Sequence, residues 1–168
     1  MSDVLIAELG RSTDPLQFAV LVLRILAAMV LGGTIGWERH LHNKPAGMRT
    51  HMMISLAACV FTLVALGMIA TDWGGDAGRV RFDPLRLVVA VTSGVAFLAA
   101  GTIINARGHV HGLTTGAGMW LAGALGMACG AGQIPLAALA TVMALLVLWV
   151  LRRIERDIPD PPADDEPH

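Results

Sequence analysis

LQFAVLVLRILAAMVLGGTIGW, residues 16–37, is the stretch that decides the fold. Arg24 is its only charge and no proline interrupts it. At 1.5 Å of rise per residue it makes a helix of roughly 33 Å, enough to cross a hydrocarbon core of about 30 Å. In lipid every backbone N–H and C=O needs a partner within the protein, so such a run becomes a helix rather than an open strand. Working outward, further apolar runs fall at about Met52–Ala70, Pro84–Ile104, Leu113–Cys129 and Ile134–Leu151, the one from Leu113 being rich in glycine. The expected fold is all-α: a polytopic membrane protein of about five transmembrane helices.

Composition agrees. Of 168 residues 55% are hydrophobic and 15% charged, too little polar surface to cover a soluble globule. The expected organisation is an extracytoplasmic N-terminal segment (1–15), one transmembrane domain (16–152) and an acidic, proline-rich cytoplasmic tail (153–168). The N-terminal segment carries Asp3, Glu8, Arg11 and Asp14 and lacks the basic start of a signal peptide, so no cleavage is expected. A formal net charge of -1 with scattered cations excludes a nucleic-acid partner, which needs a concentrated basic face. Cys59 and Cys129 lie inside apolar runs and read as small hydrophobes rather than as a disulfide.

Arg39, Lys44 and Arg49 lie in the first loop, Arg107 in the third, and Arg152, Arg153 and Arg156 after the last run. Basic residues at span ends favour the cytoplasm, so these segments are expected inside, with the N-terminus outside. Arg11, Arg79, Arg81 and Arg86 on the other side are diluted by acids. Trp37 and Trp149 fall at the inner interface and Trp73 at the outer one, whereas Trp120 does not fit that belt.

The sequence also echoes itself. Gly33-Thr34-Ile35 followed by Gly47-Met48-Arg49-Thr50 resembles Gly101-Thr102-Ile103 followed by Gly112-Leu113-Thr114-Thr115. Two parallel helical hairpins plus a final helix would follow, with the two cytoplasmic turns packed together.

Arg24 is the one charge well inside a run, and its burial costs at least about 2.5 kcal/mol unless it snorkels or is partnered. Two readings stand side by side: an anchor or gate in a polar pathway, or a structural Arg bonded to carbonyls of a neighbouring helix. Fourteen residues separate it from Glu38, roughly 21 Å along a straight helix. No Asp or Glu lies inside a run, which weighs against a dehydrated cation held by carboxylates; Glu38 at the inner end comes nearest. The densest polar stretch runs from Glu38 to His51. Pro45 stiffens its turn, Gly47 allows φ > 0 or a close approach, and Arg49 is a candidate partner for Glu38 or for a lipid phosphate. His40, His42, His109 and His111 are weak metal candidates, without the spacing of a known site. No nucleophile with its base, phosphate loop or carboxylate dyad supports an enzyme. Gly32 with Gly36, and Gly126 with Gly130, have GxxxG spacing; with Gly101 they are candidates for helix packing or for contact with a partner.

Gly33 through Gly36 to Glu38-Arg39, then Lys44-Pro45-Ala46-Gly47-Met48-Arg49-Thr50-His51, resembles the signature of the MgtC/SapB membrane proteins. Ala100-Gly101-Thr102-Ile103-Ile104 with Gly108, Gly112-Leu113-Thr114-Thr115 and Trp120 match its second half. Gly116, where the family usually has Ala, departs from it, as does the lack of the soluble C-terminal domain of longer members. The resemblance implies a bacterial inner-membrane protein linked to magnesium limitation, acid stress and survival in host cells. It implies a functional polar cluster of Arg24, Glu38, Arg39, Lys44, Gly47, Arg49, Thr50, Asn105, Thr114 and Thr115. The expected function is Mg²⁺ homeostasis by regulating another membrane protein, such as the ATP synthase membrane sector, within the lipid bilayer and with scope for homo-oligomers. Direct transport of Mg²⁺ or another cation is the first alternative, and an anionic-lipid-binding module using Arg39, Lys44 and Arg49 the second. No cofactor is expected beyond Mg²⁺ as a transported or sensed ion.

Overall fold

A computed structural model describes residues 15–70, 83–106 and 109–156. Five helices, α1 (Pro15–Leu41), α2 (Met48–Ala70), α3 (Pro84–Ala100), α4 (Leu113–Gly130) and α5 (Ile134–Arg156), carry the fold, with strands β1 (Ile104–Ala106) and β2 (His109–His111) between α3 and α4. α1, α2 and Ile134–Ile154 of α5 are long and apolar enough to cross a membrane, and α3 is a shorter apolar helix. The protein is an all-α membrane protein, its five helices falling on the five apolar runs. The N-terminal segment before Pro15, Trp73, Arg79, Arg81, Arg107 and the tail from residue 157 lie outside the described residues.

Local chemistry explains the helix ends. Asp83 caps α3 by accepting from the Leu85 N–H at 3.0 Å, and Pro84 supplies a first position that has no N–H to satisfy. The third apolar run continues to Ile104, but the helix stops at Ala100. Instead Ile104, Asn105 and Ala106 pair antiparallel with His111, Val110 and His109. The hairpin closes against Gly112, whose φ of 88° and crowding by the Thr102 carbonyl leave no room for a side chain.

α2 is the spine of the bundle. A Cβ on Gly32 would stand 2.6 Å from the Ser55 Cβ, and one on Gly36 2.6 Å from the Met48 Cα, so α1 lies directly on the α2 backbone. From the other side, Cβ atoms on Gly126 and Gly130 would meet the Ala58 Cβ at 2.9 Å and the Cys59 carbonyl oxygen at 2.7 Å. Both GxxxG pairs are therefore consumed in seating α1 and α4 on α2, and neither is open to a partner. Gly101 caps α3 and meets only that helix's own carbonyls. Cys59 and Cys129 are free and buried in one core cluster with Ala28, Ile35, Leu125 and Ala137. The outer surface is apolar, with Phe97 81% and Trp149 63% exposed, as lipid-facing side chains should be.

The sequence echo has a partial counterpart. Gly47 and Gly112 each immediately precede a helix, and α2 and α4 run in the same direction. The elements flanking the two turns meet, since Arg39 near the end of α1 donates to Thr115 in the first turn of α4. Gly33-Thr34-Ile35, however, lies within α1, whereas Gly101-Thr102-Ile103 lies beyond α3, so the copies do not correspond there.

Candidate functional site

Two consecutive residues at the end of α1, Glu38 and Arg39, fan out toward different helices because successive helical positions point about 100° apart. Arg39 turns inward and is only 3% exposed. Its Nη2 donates to the Thr115 Oγ1 in the first turn of α4 at 2.6 Å, while its Nε is buried with no hydrogen-bond partner. Beside it His51, in the first turn of α2, is fully buried. The His51 Nδ1 lies 2.9 Å from the Gly47 carbonyl, which can only accept, so Nδ1 carries a proton. Its Nε2 is buried without a partner, 3.1 Å from where a Cβ on Gly118 would stand, so Gly118 makes room for the ring. Ser55, one turn deeper, donates to the Ala28 carbonyl at 2.8 Å.

Glu38 turns toward α5. Arg152 bonds its Oε1 and also engages His42, whose Nδ1 lies 3.5 Å from the same carboxylate oxygen and 2.7 Å from the Glu38 carbonyl. Glu38 Oε2 is buried and unpartnered. Arg49 is the sequence's candidate partner for Glu38, but Arg152 takes that place and Arg49 is exposed. The site thus joins the ends of α1, α2, α4 and α5. It holds two guanidinium groups against one carboxylate.

Arg24 sits fifteen positions before Arg39 and donates from Nη1 to the Gly130 carbonyl at 3.0 Å. Gly130 is in turn fifteen positions after Thr115, so α1 and α4 run antiparallel with an arginine rung at each end. The Arg24 contact is the structural one of its two readings: a cation on a free carbonyl at the negative end of a helix. The rungs lie roughly 22 Å apart along α1.

The remaining candidates do not converge. Lys44, Arg49, Asn105 and Thr114 are exposed, and Thr50 is half-buried. Gly47 contributes its carbonyl to His51; the left-handed turn falls instead at Asn43, with φ 52°. Arg39 is withdrawn from the lipid-binding trio by its burial. Of the metal candidates, His42 is engaged by Glu38 and Arg152, His40 and His111 are exposed, and His109's side chain lies outside what is described. Among the described residues no three His, Cys, Asp or Glu side chains come together to hold a metal. In the sequence Arg152 is only an orientation signal, and His51 belongs to a polar turn and to the imidazoles that could bind a metal or sense pH. The glycines at 36 and 118 that admit the His51 ring are the one sequence trace of its burial.

Residues 25–157 match the model of the MgtC family. The chain belongs to the MgtC family. Glu38, Arg39, His51, Thr115 and Arg152 all lie inside the matched range, and Arg24 falls one residue before it. The chain is 36% identical over 136 residues to a protein of Escherichia coli K12 named putative magnesium transporter YhiD, covering 81% of this chain and 62% of that one. It is 37% identical over 143 residues to protein SapB of Bacillus subtilis, covering 82% and 60%. It is 36% identical over 128 residues to protein MgtC of Brucella abortus, covering 76% and 50%. The chain thus spans about half to three-fifths of the length of these relatives. No solved structure matches it.

Proposed function

We propose that this chain is the membrane core of an MgtC-type protein of the bacterial inner membrane, with the turn between α1 and α2 and the end of α5 cytoplasmic, that serves Mg²⁺ homeostasis by regulating another membrane protein. The family match and the name of the Escherichia coli relative support the link to magnesium. The observation that carries regulation over conduction is the charge inside the bundle. Arg39 is buried near one end of α1 and Arg24 is half-buried nine residues in from the other, and the one acid beside them, Glu38, is already bonded to Arg152. Bare Mg²⁺ needs an octahedron of oxygen ligands at about 2.1 Å and sheds its waters reluctantly. Two guanidinium groups oppose such an ion electrostatically.

The orientation rests on Arg39, Lys44, Arg49, Arg152 and Arg153 gathering at one end of the molecule. Direct transport is the second reading, favoured by the name of that relative and by the unpartnered Glu38 Oε2. The two separate in cells. Expression should alter Mg²⁺ uptake when the native Mg²⁺ transporters are present and have no effect when all of them are deleted. Uptake restored in the deletion strain by this chain alone would reject regulation.

A further inference from the structure

α3 leans on α4 and touches α2 only lightly, so the space between α2 and α3 stays open toward the lipid. This cleft has a volume of about 740 Å³ and is lined entirely by apolar side chains. Its exposed lining includes Met53, Phe61 and Met68 on α2 and Ala90, Gly94 and Leu98 on α3, and its buried lining Ile54, Ala58, Val91 and Val95. From Met53 to Met68 the helix rises roughly 22 Å, so the cleft is elongated along α2. A hydrocarbon chain suits an elongated cleft whose lining offers no polar side chain. At the end nearest the α1–α2 turn the chemistry changes. Thr50 and Arg49 stand one turn before Met53 and Ile54, and Arg49 is exposed without an ion pair or side-chain hydrogen bond among the described residues. Lys44 is exposed in the adjoining turn.

An elongated apolar cleft ending at an unpaired guanidinium fits an amphiphile with a hydrocarbon tail and an anionic head. We propose that the α2–α3 cleft binds one anionic phospholipid, its acyl chain lying between Met53 and Leu98 and its phosphate held by Arg49. Guanidinium and phosphate match in geometry as well as charge. A tail entering from this end reaches about 15 Å, half the hydrocarbon thickness, which lies within the length of the slot. The assignment requires only that the chain sits in a membrane, and stands whether the chain regulates or conducts.

Native mass spectrometry of the purified full chain, titrated with phosphatidylglycerol and with phosphatidylcholine, tests it. One phosphatidylglycerol per chain should bind, with about fivefold preference over phosphatidylcholine, and Arg49→Gln should remove the preference. Gly94→Leu should reduce binding of both lipids while leaving the melting curve unchanged, since no atom lies within 4 Å of a Cβ built at this position and the rest of the side chain extends into the open cleft. Equal binding of the two lipids by the unaltered chain overturns the proposal. So does phosphatidylglycerol binding unchanged in Gly94→Leu, or a dimer of the chain that Gly94→Leu dissociates, which would give the cleft to a second copy. If Gly94→Leu does not fold, Phe61→Trp fluorescence decides: stronger quenching by brominated-tail phosphatidylglycerol than by the phosphatidylcholine equivalent supports the site, and equal quenching overturns it.

Discussion

Arg39 and Thr115 hold together residues 76 apart in sequence, and the bond is fully enclosed. A hydrogen bond to a charged group contributes about 1.5 to 3 kcal/mol, and losing the acceptor leaves a buried guanidinium with its Nε and Nη2 both unpaired. Thr115→Val keeps the shape and removes the hydroxyl, so it should destabilise the protein by about that amount. Thr115→Ser keeps the oxygen and should cost less than about 1 kcal/mol. Reversible unfolding in mixed micelles measures both; equal losses for the two variants would mean that packing, not the bond to Arg39, holds this corner. The sequence singled out Arg39 as a basic residue just past the first apolar run and Thr115 through the internal echo and the family motif. The echo set their two turns side by side, but it did not pair these two side chains, since periodicity reports which face a residue occupies and not which atom lies across from it.

Among the elements, α2 takes α1 on one side and α4 on the other through glycine contacts that approach its backbone. Overfilling such a contact costs about 1 to 3 kcal/mol, toward the upper end where the obstacle is main chain. Gly126→Ala should therefore lose about 3 kcal/mol and Gly94→Ala less than about 0.5 kcal/mol, read from the same unfolding measurement. Similar losses at the two positions would contradict the helix arrangement. α5 is tied to α1 by a different device, the Arg152–Glu38 pair, with side chains 24% and 15% exposed. A double-mutant cycle with Glu38→Gln and Arg152→Gln should give a coupling of about 0.5 to 3 kcal/mol, and no coupling would separate α5 from α1. The helices themselves were legible, because long apolar runs leave the backbone one solution in lipid. The β1–β2 ribbon was not. Its strands have three residues each, and Ile103-Ile104 read as the tail of an apolar helix until Gly101 and Gly112 were seen to end one element and begin the next.

At the scale of the whole molecule the decisive feature is the sign of the charge enclosed by the bundle. Arg24, nine residues into α1, and Arg39, near its end, are each bonded to α4, and Glu38 is held by Arg152, so among the described residues the interior offers a cation no free carboxylate pair. The sequence showed that spans lack acids and carry arginine. It did not show that Arg24 closes a helix end rather than lining a passage, which depends on the fifteen-residue match between α1 and α4. The glycine seams of the bundle are already used internally. The most direct measurement is Mg²⁺ flux into liposomes that contain only the purified, folded chain, beside liposomes without protein. The predicted result is flux no greater than in protein-free liposomes; saturable Mg²⁺ entry that is lost in folded Arg39→Ala or Glu38→Gln protein would contradict the account.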